Sequence, residues 1–128
     1  MNKLVIDAVS EEIFLMIITK DDIYSISKEN TKINYEKLTL IIKDFLNLNN
    51  MKLDDISKIY VNRGPGSFAG IRNSLSTVKA FNVTRKIDYY CYSLDDFKDE
   101  IDIKYENIPN LCDKFKIKKN LINPIYLS

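Results

Sequence analysis

The sequence predicts a single α/β domain built on a mixed five-stranded sheet, with its elements in the order βββαβαβ. Three short runs rich in β-branched and aromatic residues open the chain, and the short polar breaks between them are typical of an antiparallel meander. Two later segments carry apolar residues at helical spacing, and each is followed by a short strand. A meander followed by alternating helices and strands indicates an α/β layer with a mixed sheet.

Apolar spacing places each of these elements. In the second helix the apolar stripe consists of Ile71, Leu75, Val78 and Phe81. The first helix has a longer stripe and is expected to stop at two consecutive asparagines. The predicted strands cover residues 3–9, 12–19, 22–28, 58–62 and 88–93, and the predicted helices cover residues 33–50 and 70–86.

The C-terminal third shows weaker patterns. The stretch LDDFKDE, residues 94–100, predicts the start of a short helix. In KFKIKK, residues 114–119, Phe115 and Ile117 alternate with lysines, which favours an edge strand with a solvated face. The alternative is a basic segment that binds RNA.

Composition limits the classes of function. The chain has 128 residues, is 45% hydrophobic and carries a net charge of +1, so it fits one small domain without the basic excess of a dedicated nucleic-acid binder. It has no histidine, and its two cysteines, Cys91 and Cys112, show no CxxC spacing, which argues against a zinc site and excludes a histidine base. No apolar run approaches a membrane span, so we expect a cytoplasmic protein with reduced thiols.

All three glycines, Gly64, Gly66 and Gly70, lie in the stretch NRGPGSFAGIRNS between a predicted strand and a predicted helix. Free N–H groups at the start of a helix can hold an anion such as phosphate. The spacing GxGxxxG matches neither the dinucleotide fingerprint nor the P-loop. The alternative is a sharp strand-to-helix turn that lets Phe68 and the helix pack close to the sheet.

The three arginines lie in this loop or just after it, at Arg63, Arg72 and Arg85. A planar guanidinium suits phosphate or carboxylate ligands. Pairing with a nearby aspartate or glutamate is the alternative role for each of them.

The segment IYVNRGPGSFAGIRNSLSTVKAF resembles the signature of the tRNA threonylcarbamoyladenosine biosynthesis protein TsaB family, in which a strand leads into GRGPGSFTGVR and then a helix. The run from Arg63 to Phe68 is intact, and Gly70 and Arg72 fall at the same spacing. The stretches LVIDAVS, LDDIS, YSLDDF and NPIYL add to the resemblance. It implies one lobe of the actin-like, Hsp70-like and sugar-kinase-like (ribonuclease H-like) fold.

The resemblance also implies a role. TsaB resembles its catalytic paralogue TsaD but lacks the metal-binding histidines, and it acts as a scaffold that pairs with TsaD in making threonylcarbamoyladenosine next to the tRNA anticodon. The implied partners are therefore TsaD, the ATPase TsaE and tRNA. ATP or ADP at the joint interface would contact Gly64, Gly66, Ser67 and Arg72. The lack of histidine in this sequence agrees with a non-catalytic role.

Three departures from the family pattern bear on this role. Asp7 is followed by Ala-Val-Ser, where the family has Asp-Thr-Ser, which argues against a phosphate or metal role for Asp7. Asn62 and Ala69 replace a glycine and a threonine of the signature. Family members are usually longer and two-lobed, so we predict a TsaB-like N-terminal lobe at residues 1–98 and a short C-terminal remnant at 99–128, packed on the same domain.

The two predicted helices carry more apolar surface than one sheet face needs. In the family the paired helices dock on TsaD, so the residues expected near that interface are Tyr35, Leu46, Ser74, Thr77 and Phe81. Two other functions stay open: a small ATPase or peptidase-like enzyme of the same superfamily, and a degenerate paralogue that forms a homodimer. For the enzyme, Ser67 has no evident activating base.

Overall fold

The computed structural model describes residues 1–126 and contains one mixed sheet, as predicted. Its strands are β1 (Asn2–Asp7), β2 (Glu12–Ile18), β3 (Ile23–Glu29), β4 (Ile56–Asn62) and β5 (Asp88–Tyr92). They lie in the order β3-β2-β1-β4-β5. Leu127, which ends the NPIYL stretch, and Ser128, which ends the predicted remnant, lie outside the described residues.

Strand direction determines where polar side chains can meet. β1, β2 and β3 form the predicted antiparallel meander, whereas β4 is parallel to both β1 and β5. Val5 of β1 lies opposite Tyr60 of β4, which in turn lies opposite Tyr90 of β5. The three parallel strands have their C-terminal ends on the same side of the sheet. Their last residues, Asp7, Asn62 and Tyr92, therefore lie close together.

Three helices cover one face of the sheet: α1 (Lys32–Glu36), α2 (Leu38–Leu48) and α3 (Phe68–Arg85). The prediction of α3 is confirmed to within two residues. The prediction of one helix at 33–50 is wrong, because the chain turns at Lys37, whose N–H donates to the carbonyl of Asn34 at 3.0 Å. The break lets α1 pack on α3 while α2 buries Leu38 and Ile42 in the core.

The opposite face is covered by the C-terminal third of the chain, including α4 (Ile108–Lys114). This helix was not predicted, and the helix predicted at 94–100 is only a short 3-10 turn, Leu94–Asp96. The edge strand predicted at 114–119 is also wrong: α4 ends at Lys114, a left-handed Lys116 turns the chain, and only Lys119 pairs with the sheet, opposite Tyr90. Burial of apolar side chains on the second sheet face determines this conformation.

Hydrophobic side chains therefore form two cores, one on each side of the sheet. Both cysteines are buried free thiols, with Cys91 in the first core and Cys112 in the second. Among residues 1–126, no helix has both the length and the apolar character needed to cross a membrane.

Candidate functional site

The glycine loop, residues 63–67, connects β4 to α3 beside the C-terminal ends of the parallel strands. Ser67 starts the helix. Its hydroxyl accepts a hydrogen bond from the N–H of Gly70 at 3.2 Å, and its carbonyl accepts one from Ile71 at 2.9 Å. The loop is thus a sharp strand-to-helix turn, one of the two alternatives from the sequence, with a conventional serine cap. Phe68, however, is exposed and does not pack on the sheet.

Each of the three glycines faces a backbone carbonyl of the same chain. A Cβ on Gly66 would overlap the oxygen of Val9, and a Cβ on Gly70 would overlap that of Ala8. Gly64 has a φ of +111°, and its Cβ would overlap the oxygen of Ile125 in the C-terminal segment. Close backbone approach therefore accounts for all three glycines without a ligand.

Three of the four predicted nucleotide-contacting residues, Gly64, Gly66 and Ser67, thus lie in a closely packed loop. The N–H of Gly64 donates to the side chain of Asn62 at 2.9 Å, and the N–H of Ser67 donates to the carbonyl of Val9 at 2.8 Å. A phosphate that entered on the inner side of Gly64 or Gly66 would have to displace the carbonyl of Ile125 or Val9. Nucleotide binding at these residues stays a prediction.

Asp7 is the central polar group at the strand ends, although it is only 6% exposed. Its carboxylate accepts hydrogen bonds from the side-chain amide of Asn62 at 3.1 Å, the hydroxyl of Tyr105 at 2.9 Å and the N–H of Val9 at 3.2 Å. The asparagine that departs from the family signature thus satisfies a buried carboxylate. Tyr105 brings the C-terminal segment over the same carboxylate, and it was not found from the sequence.

Burial has a direct electrostatic effect on the tyrosines of this cluster. It raises the pKa of Tyr105, and the adjacent Asp7 carboxylate raises it further. Burial also raises the pKa of Tyr92, with Asp7 contributing. The Tyr92 hydroxyl is buried and has no hydrogen-bond partner among residues 1–126. Both phenols therefore keep their protons at neutral pH, and of the two it is Tyr105 that donates to the Asp7 carboxylate.

Two of the three arginines pair with acidic side chains of the chain itself. Arg63 contacts both carboxylate oxygens of Asp96, at 2.8 and 3.4 Å, and also donates to the carbonyl of Asn123 at 3.0 Å. Arg85 pairs with Asp54 at 3.0 Å on the surface. Arg63 therefore ties the glycine loop to the C-terminal segment and is not free for a ligand.

Arg72 is exposed on α3 and forms no ion pair in the part of the chain that the structure describes. It lines an open cleft of about 410 Å³ between α1 and α3, together with Tyr35, Phe68 and Ser76. Of the four predicted nucleotide-contacting residues, Arg72 has the most accessible side chain. The structure does not bring Arg72 to the buried Asp7 cluster.

Three of the five predicted partner-binding residues are buried within this domain. Leu46, Ser74 and Phe81 are buried in the packing between α2, α3 and the sheet, so their side chains are not available to a partner in this structure. Tyr35 and Thr77 are partly exposed. Helical spacing identified the apolar faces, but the chain itself covers most of them.

The exposed face of α3 is a different set of side chains. We call it the α3 ridge, and it consists of Phe68, Arg72, Ser76, Lys79 and Val83. These positions recur every three or four residues along one side of the helix. Sequence reasoning could have found the ridge only by knowing which side of α3 the sheet covers.

Within residues 1–126, no group of three or more histidine, cysteine, aspartate or glutamate side chains lies close enough together to hold a metal ion. The acidic stretch that begins at Asp95 therefore supplies no metal centre among the described residues. One carboxylate of this stretch, Asp96, already accepts hydrogen bonds from Arg63 and from the N–H of Ser93, each at 2.8 Å.

The fold has counterparts among known structures. YeaZ from Pseudomonas aeruginosa aligns with a TM-score of 0.66 at 20% identity, covering 72% of this chain and 43% of YeaZ. Thermus thermophilus RuvC in complex with a Holliday junction substrate aligns with a TM-score of 0.55 at 10% identity, covering 98% of this chain and 83% of RuvC. These likenesses confirm the predicted fold class, and the chain spans less than half the length of YeaZ.

Comparison of the sequence with family models identifies the family of this chain. No curated protein matches the chain in sequence. The family model for TsaD, described as tRNA N6-adenosine threonylcarbamoyltransferase, matches residues 29–93, which is half of the chain and includes the glycine loop. The chain therefore belongs to the TsaD family.

Proposed function

We propose that this chain is a TsaB-type, non-catalytic subunit that pairs with TsaD and supports threonylcarbamoyladenosine modification of tRNA. Family membership and the resemblance of the loop to the TsaB signature support a place in this machinery. TsaE and tRNA are then contacted within the complex. The chain covers only part of its structural relatives, so its own surfaces must indicate which part of the task it performs.

The observation that supports the non-catalytic role is that the polar groups at the C-terminal ends of the parallel strands are buried and already hydrogen-bonded. Asp7, the carboxylate best placed for chemistry, is buried and bonded to Asn62 and Tyr105. The one serine of the loop, Ser67, is used as a helix cap. Hydrolysis requires an accessible nucleophile or base, and this arrangement presents neither at the loop.

The surface that supports docking is the α3 ridge. Val83 is 68% exposed and Phe68 is 54% exposed, so large apolar side chains stand at both ends of the ridge. Ser76 lies between them, and a small side chain lets a partner helix come close. A nucleotide held between the two proteins would meet Arg72 on this ridge, rather than the packed glycines.

The direct test mixes the purified chain with TsaD from the same cell and measures complex formation by size-exclusion chromatography with light scattering. Ser76→Arg should weaken binding at least ~10-fold, because it places a long charged side chain at the centre of the ridge. Ser27→Arg is the matched control, since Ser27 is exposed on β3 and outside the ridge. Equal binding by the two variants would contradict the assignment of the ridge.

A functional readout separates the alternatives. With TsaD, TsaE, tRNA and ATP present, the chain should raise the yield of threonylcarbamoyladenosine, and Ser76→Arg should reduce that yield more than Ser27→Arg. Nucleotide or peptide hydrolysis by the isolated chain would support the enzyme instead. A stable homodimer that ignores TsaD would support the self-associating paralogue.

A further inference from the structure

Five lysines lie on the face of the sheet that α4 covers and on the turn that follows α4. We call them the lysine patch: Lys3, Lys58, Lys116, Lys118 and Lys119. Lys3 lies opposite Lys58 in the β1–β4 register, and the ammonium group of Lys58 is 5.9 Å from the centre of the Tyr90 ring. The backbone of Lys119 forms an isolated antiparallel β-bridge with that of Tyr90. The patch is thus assembled from three separate parts of the sequence.

The turn after α4 determines which way its lysines face. The N–H of Ile117 donates to the carbonyl of Cys112 at 3.0 Å, which folds the chain back against the end of the helix. Phe115 and Ile117 pack against the core on this side of the sheet. Lys116 and Lys118, which alternate with them, are therefore exposed. The alternation that suggested an edge strand instead presents two lysines beside the sheet.

The charge on this surface is unbalanced. Lys119 is 3.7 Å from Asp88, and the nearby Asp113 supplies a second carboxylate. Lys58, Lys116 and Lys118 form no ion pair with any residue that the structure describes. Because the whole chain carries a net charge of only +1, the remaining surface is net negative. The five lysines of the patch outnumber its two carboxylates, and this local excess of positive charge would orient an anionic partner.

Tyr90 gives the patch a second chemical feature. Its ring is half-buried and stacked on the buried Tyr60, with ring centres 5.1 Å apart and planes 12° apart. A fixed aromatic ring among lysines suits a strand of nucleotides, since phosphates pair with ammonium groups and bases or sugars contact the ring.

We propose that the lysine patch binds RNA through its phosphates, with Tyr90 at the centre of the contact. The proposal deepens the proposed function, because tRNA is the substrate of the machinery to which we assign the chain. It concerns a different surface from the α3 ridge, on the opposite side of the sheet. Docking to TsaD and binding to RNA can therefore fail independently.

The experiment measures binding of the full chain to fluorescently labelled unmodified tRNA at salt concentrations from 50 to 200 mM. Each lysine–phosphate contact in single-stranded RNA contributes about −0.7 to the slope of log affinity against log salt. Replacing Lys58, Lys116 and Lys118 with alanine should reduce the magnitude of that slope by about 2. Over this fourfold salt range, the wild-type chain should then lose about 20-fold more affinity than the triple variant.

Two further variants make the test specific. Lys28 is on the edge strand β3, and Lys20 and Lys32 lie just before and just after that strand. All three are exposed, and replacing them with alanine should leave the slope close to that of the wild type. Replacing Lys58, Lys116 and Lys118 with arginine keeps the charge and should retain binding. Circular dichroism of each variant checks that it folds.

Three results would overturn the proposal: no RNA binding at 50 mM salt, equal losses in the two alanine variants, or tighter binding to polyglutamate of matched charge than to tRNA. Ser76→Arg should bind tRNA normally, and the triple alanine variant should still form the complex with TsaD. If only complex formation fails, the proposed function is wrong while the RNA surface stands.

Discussion

The hydrogen bond from Tyr105 to Asp7 should make a measurable contribution to stability. Tyr105→Phe removes the hydroxyl but keeps the ring, whose centre lies 4.1 Å from that of Phe14 in a stacked pair. The acceptor is a buried carboxylate, and a hydrogen bond to a charged group contributes about 1.5–3 kcal/mol. We therefore expect the free energy of unfolding at pH 7 to fall by about 2 kcal/mol.

For a domain of this length, a loss of about 2 kcal/mol corresponds to a decrease in Tm of about 7 °C. Urea unfolding followed by circular dichroism gives the free energy, and a thermal scan gives Tm. Tyr126→Phe is the matched control, because Tyr126 is exposed and also contacts a phenylalanine ring, that of Phe68. Equal stability of the two variants would refute the role of the buried hydrogen bond.

The same hydrogen bond has a predictable pH dependence. Burial and Asp7 raise the pKa of Tyr105 above its ordinary value of 10.0, so the folded state retains a proton that the unfolded state loses. The stabilisation is complete below pH 10 and is lost as the pH rises through the folded-state pKa. The difference between wild type and Tyr105→Phe should therefore shrink above pH 10, and a constant difference up to pH 12 would contradict the argument.

Three further predictions concern packing and burial. Gly66→Ala should lower the free energy of unfolding by about 1–3 kcal/mol in urea titrations, since its Cβ meets a backbone carbonyl; unchanged stability would show that the loop can move away. Arg63→Lys should cost about 1–2 kcal/mol because it loses the two-point contact, whereas Arg85→Lys on the surface should cost less than ~0.5, and equal costs would contradict this. Burial raises the pKa of Cys91 and Cys112 from 9.0 to about 12, so stability should fall above pH 9 by roughly 1.4 kcal/mol per pH unit for each thiol; a urea series in which Cys→Ala variants show the same fall would refute it.

Local patterns predicted much of the fold. The strands and α3 could be predicted from the spacing of apolar residues within short stretches of sequence. The apolar residues of α3 are the ones that pack against the sheet. The segment at 114–119 misled because Phe115 and Ile117 do point inward alternately, but as part of a turn. A signal for α4 was present in Ile108, Cys112 and Phe115, which are spaced as on a helix, with Pro109 in its first turn.

The candidate site was harder to predict because its contacts join distant segments. Asp7 and Tyr105 are 98 residues apart, and no local pattern marks their pairing. The burial of two predicted docking residues was hard to foresee for a related reason: spacing shows that Leu46 and Phe81 belong to apolar faces, but not that this chain buries both of them. Only Asn62 gave a usable signal, as a polar residue where the family signature has glycine.

The glycine loop shows why a motif and a ligand must be argued separately. Gly64, Gly66 and Gly70 each face a carbonyl of this chain, and two of those carbonyls follow the end of β1. The same backbone approach would be required with or without a nucleotide, so the spacing of the glycines reports how α3 packs on the sheet. A ligand role must then rest on side chains that packing leaves exposed. In the loop and the start of α3, that condition is met by Arg72 on the α3 ridge, which is why the ridge, rather than the glycines, is the surface to test with a partner and a nucleotide.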